Sequence, residues 1–130
     1  MKNIKRWFLG SAAILGVSAV MAGAFAAHGI QKVIQSPYLI EIFKTAVIYQ
    51  MFHALALLGI AVISSRNQAS KTLVWSGILM ILGTLFFSGS LYLLTLFSWS
   101  VGLVTPLGGV LLILGWLGLL LTACNGRGLE

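Results

Sequence analysis

Charge is scarce in this chain. Two of its 130 residues are acidic and eight are basic, so charged side chains make up only 8%. A soluble domain carries about 25%, and ten charges cannot cover the surface of a water-soluble protein of this size. A soluble enzyme or carrier is therefore excluded, whereas a bilayer accepts apolar surface directly. Cysteine is almost absent too. Cys124 stands alone, which rules out a disulfide within the chain. Near the end of the last apolar run, it reads as a small helix-filling residue rather than a reactive thiol.

Metal and catalytic chemistry are equally thin. Two histidines, two glutamates and one cysteine make a poor ligand set, so no metal and no cofactor is expected. There is no paired carboxylate and no nucleophile–base–acid set, so no residue is assigned as catalytic and the chain is not expected to be an enzyme. Gly108-Gly109 lacks the lysine of a phosphate-binding loop. The net charge of +6 does not imply nucleic acid, because the positive residues flank apolar runs. That arrangement suits anionic headgroups.

Apolar runs are abundant. Hydrophobic residues reach 59%, and a spanning helix needs about 20 of them in succession. Trp7 to Ala27 and Ala46 to Ile63 are uncharged, and no charge occurs between Lys71 and Arg127. The last stretch is too long for one span. Ser98, Ser100, Gly102, Thr105 and Pro106 mark its break. The expectation is one transmembrane domain over 1–130, an all-α integral membrane four-helix bundle with spans near 7–27, 37–63, 72–97 and 107–123. Ser36-Pro37 and Thr105-Pro106 each put a capping hydroxyl before a proline. The second helix is thus expected to begin at Pro37, ahead of its fully apolar part.

The first span also carries features of a cleavable signal. Lys2, Lys5 and Arg6 precede it, and Ala24-Phe25-Ala26 has the small-x-small pattern of a cleavage site. Its apolar run exceeds the 7–15 residues typical of a signal core, so a retained span is expected. Lys2, Lys5, Arg6, Arg66, Lys71 and Arg127 fall on one side of a four-span topology, and only Lys32 and Lys44 on the other. That asymmetry predicts a multi-pass inner-membrane protein with both termini in the cytoplasm. Trp7, Phe8 and Trp75 are expected at the inner interface, and Tyr38, Phe97 and Trp99 at the outer one. Leu129-Glu130 has the look of a cloning remnant and is left out of functional reasoning.

Small residues form stripes. Ala12, Gly16, Ala19, Gly23 and Ala26 share one face of the first helix. Gly77, Thr84 and Ser88 share a stripe on the third, and Gly108, Gly115 and Gly118 on the fourth. Such stripes let backbones approach closely. Bundle packing is the plain reading, with a homo-oligomer or partner-helix face as the alternative.

Four segments in this order resemble a known family: Gly23-Ala24-Phe25-Ala26-Ala27-His28-Gly29, Tyr49-Gln50-Met51-Phe52-His53-Ala54-Leu55, Leu85-Phe86-Phe87-Ser88-Gly89-Ser90-Leu91-Tyr92, and Thr105-Pro106-Leu107-Gly108-Gly109 with Gly115-Trp116. Together they resemble the YgdD/YwdK-type small inner-membrane proteins, a domain-of-unknown-function family. The resemblance covers nearly the whole chain and implies four membrane helices without an assigned activity. Ala26 departs from the glycine expected in the first motif.

Polar groups within a membrane require explanation. Tyr49, Gln50 and His53 lie on one face near the middle of the second span, with Ser88, Ser90 and Tyr92 of the third as candidate partners. They form either polar glue between helices or a proton- or ligand-handling site, since histidine titrates near neutrality. At the outer interface, His28 is expected to cap helix carbonyls, with headgroup binding or a site shared with Glu41 as alternatives. Glu41 and Lys44 are expected to form an interfacial ion pair. Three functions follow: an accessory bundle that binds partner helices or lipid, a small oligomeric transporter or channel using the cluster around His53, and a membrane enzyme acting on lipid at the outer face through His28 and Glu41. The first is favoured because small-residue faces are plentiful and catalytic sets are missing.

Overall fold

The structure, a computed structural model, describes residues 3–66 and 69–126. Lys2, Arg127, Leu129 and Glu130 lie outside the described residues. Four helices follow in order: α1 Ile4–His28, α2 Pro37–Arg66, α3 Lys71–Phe97 and α4 Val104–Asn125. A short 3-10 turn, Ile30–Lys32, joins α1 to α2. All four helices are long and apolar enough to cross a membrane. The fold is an all-α membrane helix bundle.

A helix suits each of these long apolar segments because lipid offers the backbone no hydrogen-bond partners and a helix satisfies its own. The same constraint governs the hydroxyls. Ser76 bonds the Thr72 carbonyl, Thr84 that of Met80, Thr95 that of Leu91 and Thr122 that of Gly118. Each spends its donor inside its own helix.

The helix ends show why the expected boundaries hold or shift. Ser36 precedes Pro37 and its Oγ accepts from the Leu39 N–H at 3.4 Å, so α2 starts at the proline. Ser70 caps α3 in the same way, accepting from Leu73 at 3.2 Å. The parallel expectation at Thr105-Pro106 fails. α4 begins at Val104, its N-cap is Leu103, and no side chain caps it. Thr105 bonds instead to the hydroxyl of Ser90 on α3, so a contact between helices takes the group that a local cap would use.

α1 packs on α2, α2 on α3 and α3 on α4, while α1 and α4 share no comparable seam. The apolar core lies among the first three helices, with Phe8, Leu15, Leu57, Ile60, Leu73 and Met80 at its centre. Phe8 was expected at the inner interface. It is instead only 2% exposed, because its ring fills the space over Gly77 that any side chain would need. Trp7, Trp75, Tyr38, Phe97 and Trp99 are exposed at helix ends.

The α3–α4 seam is antiparallel and glycine-built. Leu112 inserts over Gly83, where an added methyl would lie 2.8 Å from Leu112 Cγ. At Gly108 that methyl would lie 2.8 Å from Phe87 Cα, and at Gly115 it would lie 2.8 Å from Met80 Cγ. Gly118 rests on Ser76. Each approach substitutes dispersion contact for the hydrophobic drive that lipid cannot supply. On α1 the small residues divide. Ala12 and Ala19 are buried, and a methyl at Gly23 would meet Val47 at 3.5 Å. Gly16, expected on the same packing face, has nothing within 4 Å of that position.

Candidate functional site

The middle of the bundle holds two polar contacts rather than one cluster. Gln50 is 5% exposed and turns toward α1 and α3. Its amide nitrogen donates to the Leu15 carbonyl at 3.0 Å and to Ser18 Oγ at 2.6 Å. Its amide oxygen accepts from Tyr92 Oη at 2.7 Å. Tyr92 reaches it by geometry. Side chains tilt toward the N-terminus of their helix, and α3 runs antiparallel to α2. The ring therefore leans past Phe43, centroids 5.1 Å apart, toward Gln50 farther along α2.

His53 turns toward α4. Its Nδ1 lies 2.6 Å from the Tyr49 carbonyl of the preceding turn. A carbonyl only accepts, so Nδ1 carries the proton. Nε2 is then a lone-pair acceptor, and the Trp116 indole N–H donates to it at 3.1 Å. Tyr49 packs alongside, stacked on Phe87 with centroids 4.5 Å apart and on the His53 ring at 6.2 Å.

The expected single cluster of Tyr49, Gln50, His53, Ser88 and Ser90 is thus corrected. Gln50 and His53 are three residues apart on α2 but face different neighbours. Ser88 bonds neither of them and donates to the Ala46 carbonyl of α2 at 2.8 Å. Ser90 faces α4 and pairs with Thr105. Of the three partners considered on α3, only Tyr92 reaches the cluster.

Trp116, in the fourth motif, is a site residue that spacing alone does not single out. A signal for it existed: a tryptophan in the middle of a span needs an acceptor for its N–H, and tryptophans otherwise gather at interfaces. Ser18 gave no comparable signal, because a mid-helix serine is normally satisfied by its own backbone. Its hydroxyl does donate to the Ile14 carbonyl at 2.8 Å, while its oxygen accepts from Gln50. Among the described residues, Ser64 Oγ is the one buried side-chain polar atom without a partner.

At the other end of α1, His28 ends the helix and is exposed. Its expected capping role falls to the backbone, since the Gly29 N–H bonds the Phe25 carbonyl at 2.8 Å. Glu41 and Lys44 form an exposed ion pair at 2.8 Å on the first turns of α2. A cavity beside them is lined by Gln31, Gln35 and neighbouring apolar residues, and His28 does not take part. No group of three or more histidine, cysteine or acidic residues suited to a metal occurs among the described residues.

The family described as "Protein of unknown function (DUF423)" has a model that matches residues 22–109. Similar chains include a UPF0382 membrane protein of Staphylococcus aureus, 46% identical over 117 residues, covering 89% of this chain and 93% of the relative. The UPF0382 membrane protein YwdK of Bacillus subtilis is 39% identical over 112 residues, covering 85% and 90%. The UPF0382 inner membrane protein YgdD of Escherichia coli is 43% identical over 112 residues, covering 85% and 84%. No solved structure matches.

Proposed function

The chain belongs to the DUF423 family of membrane proteins, and from that premise we propose that it is a non-catalytic accessory bundle that binds partner helices or lipid. One observation carries this reading. The polar groups of Gln50 and His53 at mid-membrane are fully engaged inside the bundle, by bonds to neighbouring helices and one bond within α2. Gln50 engages both its donor and its acceptor atoms, and His53 engages both ring nitrogens. A transport path would need polar groups free to exchange partners with a passing solute. Flux through liposomes holding the protein should be no greater than through empty liposomes and should not change in His53→Ala. Crosslinking in native membranes should capture a partner chain or a second copy. A solute flux that His53→Ala abolishes would replace this reading with transport.

We further propose the orientation with both termini in the cytoplasm of a bacterial inner membrane, on the six-to-two lysine and arginine bias. Cys124 is exposed at the end of α4 and is the only cysteine. A membrane-impermeant maleimide should label it only after cells are permeabilised. Labelling of intact spheroplasts would reverse the orientation. Retention of α1 is part of the same proposal. Cleavage after Ala26 would remove Leu15 and Ser18, and with them both acceptors of the Gln50 amide. Intact mass of the membrane-extracted protein tests it.

A further inference from the structure

α2 is longer than a membrane requires. Its 30 residues extend about 45 Å at about 1.5 Å per residue, against about 30 Å of hydrocarbon. Its uncharged part begins after Lys44. The turns from Pro37 to Lys44 therefore stand in the headgroup layer. The connection from α1 folds back beside them and is held down. Ile30 and Ile34 are buried against Phe43, with Phe25, Leu39 and Tyr92 packed around them. Between this connection and α2 a cavity of about 510 Å³ stays open. Ile34, Pro37 and Ile40 contribute its apolar lining, Gln31 and Gln35 contribute two amides, and Glu41 and Lys44 contribute the ion pair.

The ion pair has bonding capacity left. Lys44 Nζ contacts Glu41 Oε1 at 2.8 Å. Among the described residues Glu41 Oε2 accepts no hydrogen bond, and a lysine ammonium has two further N–H donors. A ligand that completes both ends must carry a cation with N–H donors and an anion a short distance away. We propose that this cavity is a headgroup site for phosphatidylethanolamine. The lipid ammonium donates to Glu41 Oε2 and the lipid phosphate accepts from Lys44, so four charges alternate in sign. The glutamine amides face the phosphate and ester oxygens, and the acyl chains run down the apolar flank of α2. Phosphatidylcholine matches in charge but lacks ammonium N–H donors, and phosphatidylglycerol lacks the cation.

This inference rests on the lipid-binding side of the accessory reading and names its lipid. The test is native mass spectrometry of the full-length protein released from mixed vesicles of phosphatidylethanolamine, phosphatidylcholine and phosphatidylglycerol. Retention of phosphatidylethanolamine over phosphatidylcholine should be about fivefold, the scale of one exposed ion pair. Glu41→Gln should bring that ratio close to one. Lys44→Gln should lower retention of all three lipids together, since each carries the phosphate. Both residues are exposed, so an unchanged helical spectrum should accompany both variants. Equal retention of the three lipids by the unmodified protein, which requires no variant, overturns the proposal. So does a preference that survives Glu41→Gln. The flux assay on His53→Ala decides the accessory reading separately, so either conclusion can fail alone.

Discussion

Trp116 donates its indole N–H to Nε2 of His53 at 3.1 Å, tying α4 to α2 at mid-membrane. The bond decides the state of the imidazole as well as its position. Nε2 must keep a lone pair to accept from Trp116, while Nδ1 must hold a proton to donate to the Tyr49 carbonyl. A second proton, on Nε2, would confront the indole donor with another donor.

The tautomer is therefore an expected observable. In the protein labelled with nitrogen-15 histidine, the His53 nitrogens should report a neutral ring with the proton on Nδ1. Trp116→Phe should relax that preference. A proton on Nε2 in the unmodified protein would refute the assignment.

The same bond should be visible in stability. Removing the indole donor leaves a buried acceptor unsatisfied, a loss of about 1 kcal/mol on the scale of hydrogen bonds between membrane helices. Trp116→Phe should cost that much in detergent-titrated unfolding. In a double-mutant cycle with His53→Ala, the combined loss should be smaller than the sum of the two. Additive losses would show the pair to be uncoupled.

Gln50 offers a contrasting case. Tyr92→Phe should cost about 0.5–1 kcal/mol, because it removes one bond and leaves the other two in place. Gln50→Leu removes three at once and leaves the Tyr92 hydroxyl unpaired, so its loss should be larger, about 2 kcal/mol. Equal losses would mean that the bonds to α1 contribute nothing.

Glycines with the same composition should respond differently. Gly108→Ala drives a methyl into the backbone of Phe87 and should cost about 2–3 kcal/mol by overpacking. Gly16→Ala meets open space and should be neutral, or should stabilise by up to about 1 kcal/mol through helix propensity. If both variants unfold alike, close packing at the α3–α4 seam is not what the glycine serves.

The number of helices and the approximate extent of each were legible in the sequence, because apolar run length, charge position and the Ser36-Pro37 pair are local signals. Pro37 illustrates this well. The interior was less legible because it depends on which way each face turns. Tyr49, Gln50 and His53 look like one face by spacing, yet α1 and α3 flank one edge of it and α4 the other. Thr105 looked like a cap and served as a contact between helices. Phe8 read as an interfacial aromatic, because nothing local announces that Gly77 leaves room for its ring. A helical wheel gives neighbours within one helix, whereas these outcomes were decided by what stood opposite.

The turn joining α3 to α4 extends from Ser98 to Leu103, and it holds no ionisable side chain. In the proposed orientation this turn is carried across the bilayer when the protein is made. Translocation then moves only neutral groups through hydrocarbon, and the two helices flanking the turn meet through glycine contacts in the folded bundle. The α3–α4 hairpin can enter the membrane with no charge to drag behind it.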